Sequence, residues 1–421
     1  MIYAGFLVAG GAVPYRDFFD MNMPGTYLVM LAMGSVFGWD DFGFRAFDLL
    51  CLASISVSTF LWMRRFGNLP ALAASVAFPL WYLGAGPDMS LQREYIALIP
   101  FAAMLVVATL PRTDFKPVLR VFLTGFLTGA TILVKPQYFV LCVPPMILLI
   151  QETATSAYRR RLDAALLGGM LLPLGATFVY LVCSQSLRPF LNIAVNYWPL
   201  YTQMTGEHEP ISGFDRFVYL VKSTRDGLMT FYPPVAVVGL VVLCFDHAQR
   251  RYASVLGALL VGAAIYPALS GQFWGYHWIP FHYLALCVAT LAVREVPIKT
   301  WSVGGVAPIV AVIFLLFSLS SISAGWLSWP LKGNGGDDLR KGGVSDAVGR
   351  FLRSHMKSGD VVQPLDWTGG AVHGMLMARA PLATRFLYDF HFYHHISSPY
   401  IQALRREFMN ELAAAKPRFI I

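Results

Sequence analysis

Ionisable side chains at the ends of apolar runs are the first places to look for chemistry in this sequence. A charge held there stands between water and a low-dielectric interior. Asp17 and Asp20 lie three residues apart in the first polar stretch, on one face if that stretch is helical, and either could accept a proton or orient a hydroxyl. The bland reading is a turn at Asp20-Met-Asn-Met-Pro and an ion pair of Asp17 with Arg16. Arg93 and Glu94 follow the loop Gly86-Pro-Asp-Met-Ser and enter an apolar run together, while Lys135 stands between two such runs beside Pro136 and Tyr138. A guanidinium can grip an anion with two parallel hydrogen bonds; an ammonium acts as a point charge. Against these functional readings stands plain snorkelling of both cations to the interface. Gln272-Phe-Trp-Gly-Tyr-His-Trp-Ile-Pro-Phe-His gathers Trp274, Tyr276 and Trp278 with His277 and His282. An aromatic belt explains most of that stretch, stacking on a ligand is the sharper reading, and the His277/His282 spacing is no metal signature.

The elements that position these groups follow from composition. Of 421 residues, 56% are hydrophobic and only 13% charged, with a mean hydropathy of +0.56. A soluble globular chain carries about 25% charged residues, so much of the solvent here must be lipid. Apolar runs fall at about 44–63, 69–86, 95–110, 118–134, 137–150, 164–184, 229–245, 252–270, 278–293 and 302–320, which predicts ten transmembrane helices. Arg64–Arg65, Arg112–Lys116, Arg159–Arg161, Arg250–Arg251 and Arg294–Lys299 occupy every second connection and mark the cytoplasmic side. Loops 87–94, 135–136, 185–228 and 271–277 then lie outside, as does the tail. The net charge of +8 is thus topological and implies no nucleic-acid partner.

The stretch 24–38 is too short for a comfortable span and is expected along the outer interface, placing 1–43 outside. The five cysteines all lie in apolar runs and are expected as small buried hydrophobes. From about 325 the pattern becomes a small C-terminal α/β domain. Helices are expected near 344–356 (with Val344, Val348, Phe351 and Leu352 on one face), 369–379 and 399–415, and strands near 360–364 and 384–388 and at Phe419-Ile-Ile. The expected fold class is a mainly α, polytopic membrane helix bundle: a first loop over 1–43, the bundle over 44–324 and the α/β domain over 325–421. The absence of a basic signal-peptide region at Met1, and a last strand running to the final residue, suggest a chain clipped at both ends.

Gly11-Ala-Val-Pro-Tyr-Arg-Asp-Phe-Phe-Asp, then Met23-Pro-Gly-Thr-Tyr and Phe37-Gly…Phe44-Arg45, resembles the first outer loop of polytopic GT-C glycosyltransferases. The likeness is to the bacterial branch related to protein mannosyltransferases and the lipid A aminoarabinose transferase. The tail's Phe386-Leu-Tyr-Asp…Phe408…Leu412…Lys416-Pro-Arg-Phe-Ile is similar to the end of such proteins. The likeness spans most of the chain, but only the first loop is specific.

The resemblance implies transfer of a sugar from a polyprenyl-phosphate donor, usually with inversion, to a periplasmic or lipid-linked acceptor. The acceptor would be a glycan, lipid or protein at the outer face of a bacterial inner membrane. An acidic residue of the first outer loop acts as base in that family. The family's acidic pair, and the helix before it, would fall ahead of Met1. Among the residues present, Asp17, Asp20 and Glu94 are the catalytic candidates, Arg93 and Lys135 the donor-phosphate ligands, and Tyr15, Tyr138, Trp274, Tyr276 and His277 the substrate or lipid contacts. No metal ligand set is evident; the family has metal-dependent and metal-independent members, and no carboxylate cluster here decides for a divalent ion. The alternatives are a lipid or solute transporter or flippase, which would need charge at mid-membrane, where Asp48 is the main candidate, and a non-catalytic membrane assembly protein.

Overall fold

The computed structural model describes residues 1–86, 89–110, 116–153, 158–230, 232–294, 343–366 and 370–421. The tenth expected span, 302–320, and the opening of the tail lie outside the described residues. The helices in chain order begin with α1 Ile2–Ala9, α2 Pro24–Phe37, α3 Asp41–Met63, α4 Asn68–Gly84, α5 Arg93–Thr109 and α6 Pro117–Val134. They continue with α7 Phe139–Thr153, α8 Arg159–Cys183, α9 Leu187–Asn196, α10 Trp198–Thr202, α11 Gly213–Leu228, α12 Tyr232–Phe245, α13 Arg250–Ser270 and α14 Ile279–Ala289. The tail adds α15 Val344–His355, β1 Val362–Gln363, α16 Ala371–Ala378, α17 Pro399–Ala415 and β2 Phe419–Ile420. Two compact units result: Met1–Phe47 with Thr177–Ser212 and Asn334–Ile421, and Asp48–Ala176 with Gly213–Gly333.

Five helical stretches among the described residues are long and apolar enough to cross a membrane: Asp41–Phe66, Pro117–Val134, Arg159–Cys183, Arg250–Ser270 and Gly275–Val293. A sixth arises if α11 and α12 count together as one broken span. Four of the other expected spans form shorter helices, α4 and α5 of 17 residues, α7 of 15 and α12 of 14. Prolines lie inside helices at Pro79, Pro100, Pro144, Pro145, Pro173 and Pro267, and the Ser75 carbonyl that Pro79 releases accepts from Ser56 Oγ at 2.5 Å. Leu167, Leu171 and Leu172 of α8 face outward, as lipid-facing positions do. Cys183 and Cys244 are exposed on such surfaces; only Cys51, Cys142 and Cys287 are buried as expected.

In the second unit, small residues set a close crossing of α6 and α8. A Cβ on Gly125 would stand 2.1 Å from the Leu166 carbonyl oxygen and one on Gly129 2.4 Å from that of Met170. Gly169 returns the contact to α6, 2.1 Å from the Phe122 carbonyl. This pair of helices therefore packs backbone to backbone, the geometry that glycine four residues apart permits. At the C-terminal end of α5, Arg120 donates to the Val107 and Ala108 carbonyls at 3.1 and 2.5 Å and Arg65 to Thr109 at 2.5 Å, capping the open end of the helix. Glu152 balances Arg120 at 3.2 Å and accepts from the Tyr252 hydroxyl at 3.2 Å.

In the first unit, α1 packs on α2, and α15 on α16 through Gly349 and Gly374. The buried positions of α15 are Gly349 and Leu352, while Val344 and Phe351 of the expected apolar face are exposed. β1 and β2 pair in parallel, Val362 with Phe419 and Gln363 with Ile420. The strand expected at 384–388 does not form a ladder. Side chains claim its amides instead: Gln363 Oε1 accepts from Thr384 N, Glu411 Oε2 from Arg385 N and Thr384 Oγ1 from Phe386 N. Isolated bridges of Phe386 to Phe19 and of Leu382 to Val362 are what remain. The expected long outer connection at 185–228 contains three helices, α9 to α11.

Candidate functional site

The second unit brings together most of the residues singled out at helix mouths. Glu94 is the second residue of α5, where the positive end of the helix dipole favours a carboxylate. Lys135 caps the C-terminus of α6, where the dipole favours a cation. Lys135 Nζ lies 2.6 Å from Glu94 Oε1, and the pair is buried, Lys135 6% exposed and Glu94 0%. The turn Pro136–Tyr138 then folds back so that the Tyr138 hydroxyl donates to the Glu94 carbonyl at 2.6 Å. His277, in the turn Gly275–Trp278 before α14, makes a 2.6 Å hydrogen bond from Nδ1 to the Gln272 carbonyl, which fixes a proton on Nδ1 and turns Nε2 toward Glu94 Oε1 at 3.6 Å. Arg93, half-buried, is close enough to act electrostatically on Glu94, Lys135 and His277.

Aromatic rings wall this cluster. Tyr276 lies edge-on to His277 at 4.6 Å, Trp274 stacks near it at 5.7 Å, and Tyr138 meets Tyr266 at 5.3 Å. Tyr266 and Ser270, one turn apart at the end of α13, were not picked out from sequence. Their buried hydroxyls, together with Glu94 Oε2, have no hydrogen-bond partner among the described residues. The one signal for them was a Tyr-x-x-x-Ser at the C-terminal end of an apolar run. Burial is the larger influence on Lys135 and lowers its pKa, Glu94 opposes it, and the net position is about 8. The ammonium thus keeps its charge at neutral pH. His282 is elsewhere: its ring lies tilted against Trp81 at 4.2 Å and it hydrogen-bonds the Tyr232 hydroxyl.

The first unit holds the other candidates. Asp17 is surface-exposed, paired with Arg16 at 2.7 Å and accepting from Val13 N at 2.8 Å. That Arg16 hydrogen bond holds the Asp17 carboxyl below its usual range. Asp20 is 1% exposed. It accepts from Met21 N at 2.7 Å and from Asn22 Nδ2 at 2.9 Å, and forms no ion pair among the described residues. Tyr15, beside it, is buried with φ of 69°, a strained conformation for an aromatic residue. Its hydroxyl donates to the Asn22 carbonyl at 2.5 Å, and its ring meets Phe190 at 5.0 Å and Tyr27 at 5.8 Å. Among the described residues no group of three or more His, Cys, Asp or Glu is placed to hold a metal ion.

These helices, with a tail carrying a short parallel sheet, adopt a fold that recurs among solved structures. The solved structures that share it include ArnT from Cupriavidus metallidurans bound to undecaprenyl phosphate, at a TM-score of 0.56 and 15% identity over 90% of this chain and 80% of that one. The apo state of the same protein matches at 0.54 and 15% identity, over 90% and 79%. At that identity the likeness is one of fold. No protein-family model matches the chain, and no curated protein matches it either.

Proposed function

We propose that this chain is a membrane glycosyltransferase that takes a sugar from a polyprenyl-phosphate donor and passes it, with inversion, to a periplasmic or lipid-linked acceptor. The observation that carries the reading is the buried Lys135–Glu94 pair, with His277, Arg93 and the Tyr266 and Ser270 hydroxyls, which have no hydrogen-bond partner among the described residues, around it. Two cations and two hydroxyl donors suit a phosphate monoester or diester, and in a low-dielectric setting they stabilise negative charge on a departing phosphate. Glu94 aligns Lys135 and leaves Oε2 to accept from a sugar or acceptor hydroxyl. A fold shared with a protein crystallised with undecaprenyl phosphate supports this choice of donor.

Asp20 is the better candidate for the first-loop base. Asp17 spends its carboxylate on Arg16 at the surface, whereas Asp20 is buried and accepts from the amides of Met21 and Asn22. Tyr15 and Tyr138 would contact substrate or lipid, as would Trp274, Tyr276 and His277. The proposed topology keeps ten spans over 44–324, with 1–43 and the α/β tail from 325 outside a bacterial inner membrane. A transporter finds less support, because the carboxylate of Asp48 is engaged by the Tyr82 hydroxyl at 2.6 Å and Ser90 Oγ at 3.2 Å.

The test is sugar transfer from radiolabelled polyprenyl-phosphate sugars by the full chain in lipid nanodiscs. Transfer by the wild type that is lost in Lys135→Ala and Glu94→Gln supports the reading. No transfer from any such donor, with both variants retaining the cellular phenotype, refutes it.

A further inference from the structure

The tail segment Asp389-Phe-His-Phe-Tyr-His-His contributes a chain of hydrogen bonds that the reading above does not use. His391 Nδ1 lies 2.7 Å from the Tyr197 hydroxyl, that hydroxyl lies 3.0 Å from His394 Nε2, and His394 Nδ1 lies 3.0 Å from His395 Nδ1. The inner members are buried: Tyr197 and His391 are 0% exposed and His394 2%, whereas His395 reaches the surface, half-exposed, on a left-handed backbone (φ 47°). At the inner end, His391 Nε2 is buried and has no hydrogen-bond partner among the described residues. Phe19, next to Asp20, packs edge-on against both His391 (4.8 Å) and Tyr197 (5.5 Å), and Asp20 acts electrostatically on Tyr197.

We propose that His391, Tyr197, His394 and His395 form a proton wire leading from the buried surroundings of Asp20 to solvent. The proposal rests on the glycosyltransferase reading for the source of the proton, the acceptor hydroxyl, but not for the wire itself.

The bonding is consistent at each atom. In one state His391 Nδ1–H donates to the tyrosine oxygen, the Tyr197 O–H donates to His394 Nε2, and His394 Nδ1–H donates to His395 Nδ1. A proton arriving at His391 Nε2 releases the one on Nδ1 to Tyr197. Tyr197 passes its own to His394 Nε2, and His394 passes its Nδ1 proton to His395, which loses one to water from Nε2. The chain is left with every donor reversed, and ring flips or tautomer exchange reset it. No oxidant or metal is required. Relay of this kind needs neutral imidazoles, and burial, the dominant influence, holds His394 down to about 4 and His391 well below its usual value. The ionisable groups facing the chain are Asp20, Tyr201 and Tyr400 around Tyr197, His208 beside His394, and Tyr388 beside His391. Asp389 hydrogen-bonds Tyr393.

Two measurements on the full chain in nanodiscs test it. In 15N-histidine NMR, His391 and His394 are expected to show Nδ1 and Nε2 shifts averaged between tautomers. In Tyr197→Phe, which keeps the ring packing, each should collapse to one tautomer. Shifts identical in the two proteins overturn the wire. In turnover, His395→Ala should lower kcat at least about tenfold in dilute buffer with KM unchanged, less than the about 10²–10⁴-fold that a direct general base supplies. Added imidazole should restore His395→Ala but not Tyr197→Phe, whose break is internal. A loss in His395→Ala that imidazole does not restore contradicts the wire and marks a structural role. If the wild type transfers no sugar, the functional reading fails while the NMR result still decides the wire.

Discussion

The two units bury polar groups by opposite means. In the second, Glu94 is balanced by Lys135 at 2.6 Å, and both sit at the helix termini that favour their charges. In the first, Asp20 forms no ion pair among the described residues; backbone and side-chain amides hold it, and a chain of imidazoles and a phenol runs nearby. A charge-balanced cluster is stiff electrostatically and fit to receive an added anion. A neutral network is fit to move protons, because its members change donor for acceptor at little cost. Within one chain, burial alone therefore says little about role; how the buried group is compensated says more.

Substitutions can break that contrast, and the largest effect is expected at Asp20. Asp20→Asn should reduce sugar transfer about 10²–10⁴-fold and lower stability by about 1–3 kcal/mol, because the new NH2 cannot accept from Asn22 Nδ2, which donates to both Asp20 oxygens at 2.9 Å. Retained turnover would remove the base from the first unit. Next, Lys135→Ala should destabilise the protein by about 3–5 kcal/mol by leaving Glu94 buried without its partner. Lys135→Ala combined with Glu94→Gln should recover most of that loss in thermal unfolding, and a double variant no more stable than the single one would show that the pair is not balanced by charge.

The pH dependence has a defined sign. Lys135 carries its charge below about pH 8 and loses it above. Binding of a polyprenyl phosphate, whose own second ionisation is complete by then, should accordingly weaken as pH rises above about 8, whereas binding that strengthens above that value contradicts the assignment. A smaller effect is expected at Tyr266, whose hydroxyl makes no hydrogen bond among the described residues. Tyr266→Phe should leave the melting temperature unchanged and weaken undecaprenyl phosphate binding by about 0.5–1.5 kcal/mol, the net worth of one hydrogen bond. The smallest concerns Asp17: Asp17→Asn should change transfer by less than about twofold, because exposed pairs such as Arg16–Asp17 contribute little.

How far the sequence reached follows the same division. Apolar runs gave nearly all the helices of the second unit, since a helix needs only local hydrogen bonds and a lipid-compatible surface. Arg93, Glu94, Lys135 and His277 were legible because a charge or imidazole at a run's end is conspicuous. Tyr266 and Ser270 were not, since their hydroxyls look like ordinary members of an apolar run. The tail was harder still. Gln363 and Glu411 take the amides that a strand at 384–388 would have used, and no periodicity encodes such side-chain capture. Likewise Tyr197 and His391 are 194 residues apart, so their hydrogen bond could be found only in the fold. The choice between Asp17 and Asp20 turned on the Arg16 pair and on burial, one adjacent in sequence and the other invisible there.

The most direct test of the central claim is binding of undecaprenyl phosphate to the purified full chain in nanodiscs, followed by native mass spectrometry for the wild type and Lys135→Met. Loss of a charge-assisted contact worth about 1.5–3 kcal/mol predicts binding weaker by roughly 10- to 100-fold in the variant. Equal binding by the two proteins would contradict a polyprenyl-phosphate site at Lys135.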